Sequence, residues 1–213
     1  MEQVAADGQT AVDADDGEAP VDGRTARAHR TRAAIVEACV ALVRAGDTRP
    51  TAPRIAEEAG VSVRSVFQHF DDLETLFTMV AERAVAEVVD LLHPIPADLD
   101  FEDRLARIVK QRADVLEAIT PIRRAAAVHG PESPAIRAQI ASGHAFFRGE
   151  LDQVFDQELS RQPTARRHHL LDMLDVVATW GSWEAMRTLD GRSRDESATI
   201  MADLIRLVLE MPA

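Results

Sequence analysis

Residues 51–70 read TAPRIAEEAGVSVRSVFQHF, and this stretch decides the fold. Thr51 stands where a helix begins, since its hydroxyl can accept from first-turn N–H groups. Pro53 follows inside that first turn, where a missing N–H does no harm. Ile55, Ala56 and Ala59 fall at the spacing of one buried helical face. Gly60 ends the helix where the chain must turn through a positive φ. Ser62 caps a second short helix, residues 63–69, whose inner side is Val66 and Phe70, with Val61 packed at the turn. Two short helices joined by a glycine turn make either a structural hairpin or a helix-turn-helix unit, whose second helix enters the major groove of DNA. The outward residues, Val63, Arg64, Ser65 and Gln68, favour the second. Arg can read guanine, Gln can read adenine, and Val can touch a thymine methyl.

The positions Thr51, Ile55, Ala56, Ala59, Gly60, Val61, Ser62, Phe67, His69, Phe70 and Glu74 also agree in register with a known pattern. Residues 27–81 resemble the DNA-binding domain of TetR-family transcriptional regulators. The resemblance implies an all-α fold of about nine helices. An N-terminal three-helix helix-turn-helix domain, residues 24–72, would precede a larger helical effector-binding and dimerisation domain, residues 73–213. It also implies a homodimer on a palindromic operator in double-stranded DNA, most often a repressor, released by a small-molecule effector. Thr51, Ser62, Ser65 and His69 would meet phosphates, and Val63, Arg64 and Gln68 would meet bases. The start of the first helix lies near the DNA backbone in this family, which makes Arg27 a contact, among Arg24, Arg30 and Arg32.

Two positions depart from the family pattern. Phe67 replaces the usual Tyr, whose hydroxyl meets a phosphate, a loss of about 1 kcal/mol. Leu73 replaces the usual Lys before Glu74, another phosphate contact. Each neutralised phosphate adds roughly 0.9 to the log–log salt slope, so a shallower salt dependence is expected.

A net charge of −12 runs against DNA binding until its distribution is read. Residues 1–23 hold seven acids and no Arg or Lys, whereas residues 24–70 hold eight Arg against four acids, a net of +4. A basic module on an acidic body is the electrostatic footprint of directed nucleic-acid binding. Residues 1–23, rich in Ala, Asp and Gly, predict a disordered acidic tail. No apolar run approaches the ~20 residues of a membrane span, and the acidic start is unlike a secretory signal. A cytoplasmic location is therefore expected. Cys39 is the lone cysteine and lies on an apolar helical face, so it reads as a buried thiol.

Helices are predicted throughout. The first spans residues 24–45 on the apolar face of Ile35, Val36, Cys39, Val40, Leu42 and Val43. Asp71 or Asp72 caps a long helix, residues 73–92, which His93-Pro94-Ile95-Pro96 ends. Residues 101–119 form another, and Thr120 with Pro121 opens a separate short helix to residue 128. Ser133-Pro134 starts a helix to residue 159, and Pro163-Thr164 starts one to residue 189. Ser193 with Glu196 makes a capping box before the last.

Seven histidines invite a metal or enzyme reading. No H-E-x-x-H or E-x-x-H occurs, and His168 or His169 with Asp172 supplies too few ligands. No G-x-S-x-G, Walker or dinucleotide glycine pattern is present, so no enzyme, cofactor or metal is expected. The second domain can instead bind a ligand. His144, Phe147, Thr179, Trp180, Trp183 and Met186 are candidate lining residues, although core packing explains the large apolar ones almost as well. Leu170, Met173, Leu174, Val177 and Gly181 form one stripe, and Leu204, Leu207 and Val208 belong to another. The family pairs its last two helices across a two-fold axis, so these stripes are the candidate dimer interface. A rival reading keeps the all-α fold as a small-molecule binding or interaction protein with a degenerate helix-turn-helix.

Overall fold

The computed structural model describes residues 23–130 and 133–212, so the expectation for residues 1–23 falls almost wholly outside them. Ten α-helices follow in order, with one π-helical turn and no strand among the described residues. α1 (Gly23–Arg44), α2 (Ala52–Glu58) and α3 (Val63–His69) make the N-terminal unit, and α4 (Leu73–Val89) leaves it. α5 (Phe101–His129), α6 (Pro134–Val154), α7 (Asp156–Leu159), α8 (Thr164–Val177), α9 (Trp180–Glu184) and α10 (Arg194–Glu210) make the larger part. The π turn, Ala185–Leu189, continues α9.

Local chemistry sets most boundaries. Gly46 and Gly60 end α1 and α2 at φ +96° and +66°, a region open to glycine because it has no Cβ. Ser62 Oγ accepts from the Ser65 N–H at 3.1 Å, and Asp72 Oδ1 accepts from the Thr75 N–H at 2.7 Å. The Thr75 N–H holds the Asp72 carboxyl below the usual carboxylate range. Asp100, Ser133 and Thr179 cap α5, α6 and α9 in the same way, and Ser193 with Glu196 closes the capping box of α10.

Four sequence expectations need correction. Thr51 occupies the cap position of α2, but its side chain accepts no bond. A capping oxygen reaches the second or third N–H of the helix, and Pro53 has removed one of these. Pro121 does not start a helix: α5 runs through it. Leu105, Ile108 and Leu116 anchor α5 in one core while Ile122 and Ala125 anchor it in the other, and packing at both ends overrides the loss of one backbone bond. The helix expected to reach residue 159 breaks at Phe155, which turns into the core. The helix expected to reach residue 189 breaks at Ala178, where Thr179 turns extended (ψ 160°) and caps α9.

Two apolar cores result. The first joins α1–α4 with Ile122, Ala125 and Ile136 from the adjoining ends of α5 and α6. The second lies among α5–α10, around Leu151, Phe155, Leu170, Leu174, Trp183, Met201 and Ile205. The α5–α6 turn is pinned to the N-terminal unit. His129 stacks on Phe77 at 4.2 Å and meets the Thr48 carbonyl at 3.2 Å, while the Ser133 hydroxyl donates to Glu74.

Candidate nucleic-acid interface

α3 is held from below and open above. Val66 is 0 % exposed and Phe70 is buried beside it, whereas Arg64 and Gln68 are exposed and Phe67 is 54 % exposed. Val63 is also exposed, so one outward face carries Val63, Arg64, Phe67 and Gln68. Ser65 and His69 are half-buried at its flanks. Ser62 spends an oxygen lone pair on its cap, and its hydroxyl hydrogen remains a donor. Thr51 and Arg27 are exposed nearer the starts of α2 and α1.

The basic residues do not all face outward. Arg44 is paired with Glu87 of α4. Arg54 lies 3.5 Å from Asp47 in solvent, where such a pair contributes little. Arg32, expected with Arg27 at the DNA-facing helix start, turns inward instead. Its guanidinium donates to the carbonyl of His69, at the end of α3, and lies 4.3 Å over the Phe70 ring. It also reaches Met79 Sδ of α4 at 3.1 Å. Arg32 thus ties the C-terminal end of α3 to α1 and α4. The signal was present in the register: residues 32, 36, 39 and 43 share a helical face, and Val36, Cys39 and Val43 of that face are buried. Burial also pushes the Cys39 thiol up to about 12, so it is an inert part of this face.

No family model and no curated protein matches the chain; solved structures do. A protein of Mesorhizobium loti MAFF303099 assigned as a TetR-family transcriptional regulator superposes with a TM-score of 0.59 at 22% identity, over 86% of this chain and 96% of that one. A TetR-family transcriptional regulator from Streptomyces coelicolor gives 0.64 at 15% identity, over 85% and 89%. The multidrug binding protein EbrR, complexed with imidazole, gives 0.52 at 18% identity, over 85% and 96%. The chain has the TetR-family regulator fold.

Within the TetR-family fold, the two departures in the motif acquire physical reasons. Leu73 is half-buried and packs against the first core, so the position that would carry a lysine is committed to apolar contact. Phe67 presents its ring to solvent, where a tyrosine would present a hydroxyl as well.

The effector-side candidates are not brought around one cavity. Trp183 is 0 % exposed, and its Nε1–H donates to Glu117 Oε1 at 3.0 Å. Arg187 Nε donates to the same oxygen at 2.7 Å. Glu117 thus organises this layer, and nothing in the sequence pattern singled it out. Phe147 lies 4.5 Å beneath the guanidinium of Arg112, which is buried and paired with Glu150 at 2.6 Å. His144 is exposed and sits 2.9 Å from Asp175. Thr179 is occupied as a cap, and Met186 packs on the second core. Trp180 is half-buried and donates from Nε1 to Thr120 Oγ1 at 3.2 Å. A void of about 20 Å³ lies instead in the first core, lined by Phe77, Ile122, His129 and Ile136 among others. It has room for a water or two, whereas ligand sites run to about 300 Å³ and more.

The expected dimer stripe divides. Leu170, Leu174 and Val208 are sealed in the second core, and Met173 and Val177 are half-buried against it. Gly181, Leu204 and Leu207 face outward, Leu207 being 60 % exposed. Val176, which the sequence pattern did not single out, is exposed as well, on α8, which packs against α10. Among the described residues no cluster of three or more His, Cys, Asp or Glu could hold a metal. His168 and His169 are exposed, and Asp172 is paired with Arg148 at 2.6 Å. No described helix is long and apolar enough to cross a membrane.

Proposed function

We propose that the protein is a homodimeric DNA-binding transcriptional regulator, a repressor that an effector releases from a palindromic operator. The observation that carries this reading is the outward face of α3: Arg64 and Gln68 are exposed on a short helix anchored through Val66 and Phe70. Arg64 and Gln68 read bases, Val63 and Phe67 contact the groove, and Thr51, Ser62, Ser65, His69 and Arg27 meet the backbone. A two-fold dimer spaces two such helices about one DNA turn, ~34–36 Å, apart. Leu204, Leu207 and Val176 are the apolar residues exposed for that pairing.

An effector shifts the population only if it binds better to a form whose recognition helices are mis-spaced. The α5–α6 turn supplies the mechanical link, since His129 and Ser133 touch Thr48, Phe77 and Glu74. The solved complex of EbrR with imidazole supports small-molecule binding in this fold.

The test is gel-shift and footprinting on the DNA upstream of the protein's own reading frame. Arg64→Ala should lose about 1–3 kcal/mol on the operator and relax specificity at one base pair. Equal losses on operator and random DNA overturn the assignment of Arg64. A second reading, an interaction protein with a degenerate helix-turn-helix, is favoured by Phe67, Leu73 and the net charge of −12. It requires that no salt-dependent DNA binding be found.

A further inference from the structure

Arg123 of α5 stands apart from the other arginines around α9. Arg124 is paired with Glu184 at 2.8 Å and also reaches Thr188 at 2.9 Å. Arg187 is paired with Glu117, which Trp183 also engages. Those two carboxylates are therefore committed. Arg123 is half-buried, and among the described residues its side chain makes no hydrogen bond and no ion pair. Its Nε is sealed from solvent with no acceptor. Burial, with no carboxylate to offset it, pulls its pKa below the ordinary arginine value. A buried N–H without an acceptor carries a desolvation cost that an anionic partner reaching the guanidinium offsets.

Its one partner is aromatic. The Arg123 Cζ lies 5.1 Å from the centre of the Trp180 ring. That ring is oriented by its own bond to Thr120 Oγ1, whose hydroxyl in turn donates to the Leu116 carbonyl at 2.6 Å. A guanidinium in contact with an indole can still offer N–H groups to a carboxylate, which grips a guanidinium with two parallel bonds. A second orphan belongs to α6: Gln139 Oε1 is buried without a donor. Gln139 lies one helical turn beyond Ile136, which shares a void with Ile122 and Ala125 of α5. α9 has only five residues, between the break at Ala178 and the π turn, and π turns are frequent at functional sites.

We propose that Arg123 and Trp180 are the recognition point for a small aromatic carboxylate, seated between α5 and α9. The carboxylate pairs with the Arg123 guanidinium, and the ring lies beside Trp180. A single unmatched positive charge suits a monoanion. A phosphate ester would need a second cation, and Arg124 and Arg187 are already engaged. Trp180 begins α9, so seating the ring displaces α9 against the C-terminal end of α5, which touches the N-terminal unit through His129. This assignment rests on the reading of the protein as effector-responsive and names the chemistry of the effector.

The test uses the full chain, with benzoate as probe and benzamide as its neutral match, read by titration calorimetry and thermal melting. Benzoate should bind saturably, tighter than about 1 mM, and benzamide at least about tenfold more weakly, as expected for a lost charge-assisted pair. Arg123→Met should lose benzoate binding by the same factor while its melting temperature stays level, because removing the unpaired buried N–H offsets the lost contact with Trp180. Equal binding of benzoate and benzamide overturns the proposal, as does undiminished binding by Arg123→Met. So does a lower melting temperature in Arg123→Met, which would make Arg123 a structural residue, or an absence of saturable binding by the folded wild type. Trp180→Phe, which keeps an aromatic face, should retain binding, so its complete loss of benzoate binding also counts against the site. Gel shifts run in parallel separate the two readings. A protein that binds benzoate but no DNA overturns the regulator and leaves this site; one that binds DNA and ignores benzoate does the reverse.

Discussion

Arg32→Met separates a residue that positions the recognition helix from one that touches DNA. Methionine keeps the apolar stem and removes the guanidinium. The structure assigns three interactions to that group: a charged bond to the His69 carbonyl, a cation–π contact with Phe70 at 4.3 Å, and the approach to Met79 Sδ. A hydrogen bond to a charged group contributes about 1.5–3 kcal/mol, and a partly buried cation–π contact about 0.5–1 kcal/mol more. The methionine stem recovers some packing, so a net loss of about 2–3 kcal/mol is expected. In a chain of this size that lowers the melting point by roughly 5–10 °C. Calorimetric melting supplies the first measurement. The second is the salt dependence of DNA binding. A positioning residue weakens binding to all sequences while leaving the log–log slope unchanged, because no phosphate contact is lost. A phosphate contact would lower the slope by roughly 0.9 and leave stability alone. An unchanged melting point with a shallower slope would refute the inward placement of Arg32.

Two further outcomes follow from the same contacts. Phe67→Tyr should tighten DNA binding by about 1 kcal/mol through one added hydroxyl, with little change in stability because the ring is already 54 % exposed; competition gel shifts measure it, and no gain would remove Phe67 from the interface. The Arg124 side chain holds the Glu184 carboxyl below the usual value of 4.5. A carboxyl depressed in the folded state stabilises above its unfolded pKa and loses that contribution as pH falls through the folded one. Wild type should therefore lose melting temperature below pH 4.5 faster than Glu184→Gln, and parallel curves would dismiss the pair as a source of stability.

The N-terminal unit was readable because its signals are local. Gly60 and Ser62 act on backbone groups within a few residues of themselves, and Val66 and Phe70 declare their burial by spacing. The same locality misled at Pro121. A Thr-Pro pair is a helix start if only its neighbours are considered, but here Leu116 and Ile122 are fixed in two different cores. Thr51 misled for a similar reason, since Pro53 had removed one of the N–H groups a cap would use. The breaks at Phe155 and Ala178 were hidden because a continuous apolar stripe does not say which partner each turn packs against.

The larger helical part was the least legible. Trp183 and Trp180 differ by three residues and share a residue type. One is sealed in the core on Glu117, and the other stands half-open over Arg123. Their partners are separated from them by 66 and 60 residues where hydrogen bonds join them, Trp183 to Glu117 and Trp180 to Thr120, so no window of sequence contains both members of either contact.

Sequence alone determined the helical class, the helix-turn-helix with its outward Arg64 and Gln68, and most of the caps, because each depends on bonds and side-chain periodicity within one or two helical turns. Only the tertiary structure decided which charges are matched. Arg32 is turned inward by a carbonyl 37 residues away, and Arg123 is left without a carboxylate while its neighbour in sequence, Arg124, finds Glu184. Pairing of that kind is settled by which helices meet in space, and a charge carries no local mark of the partner it will find.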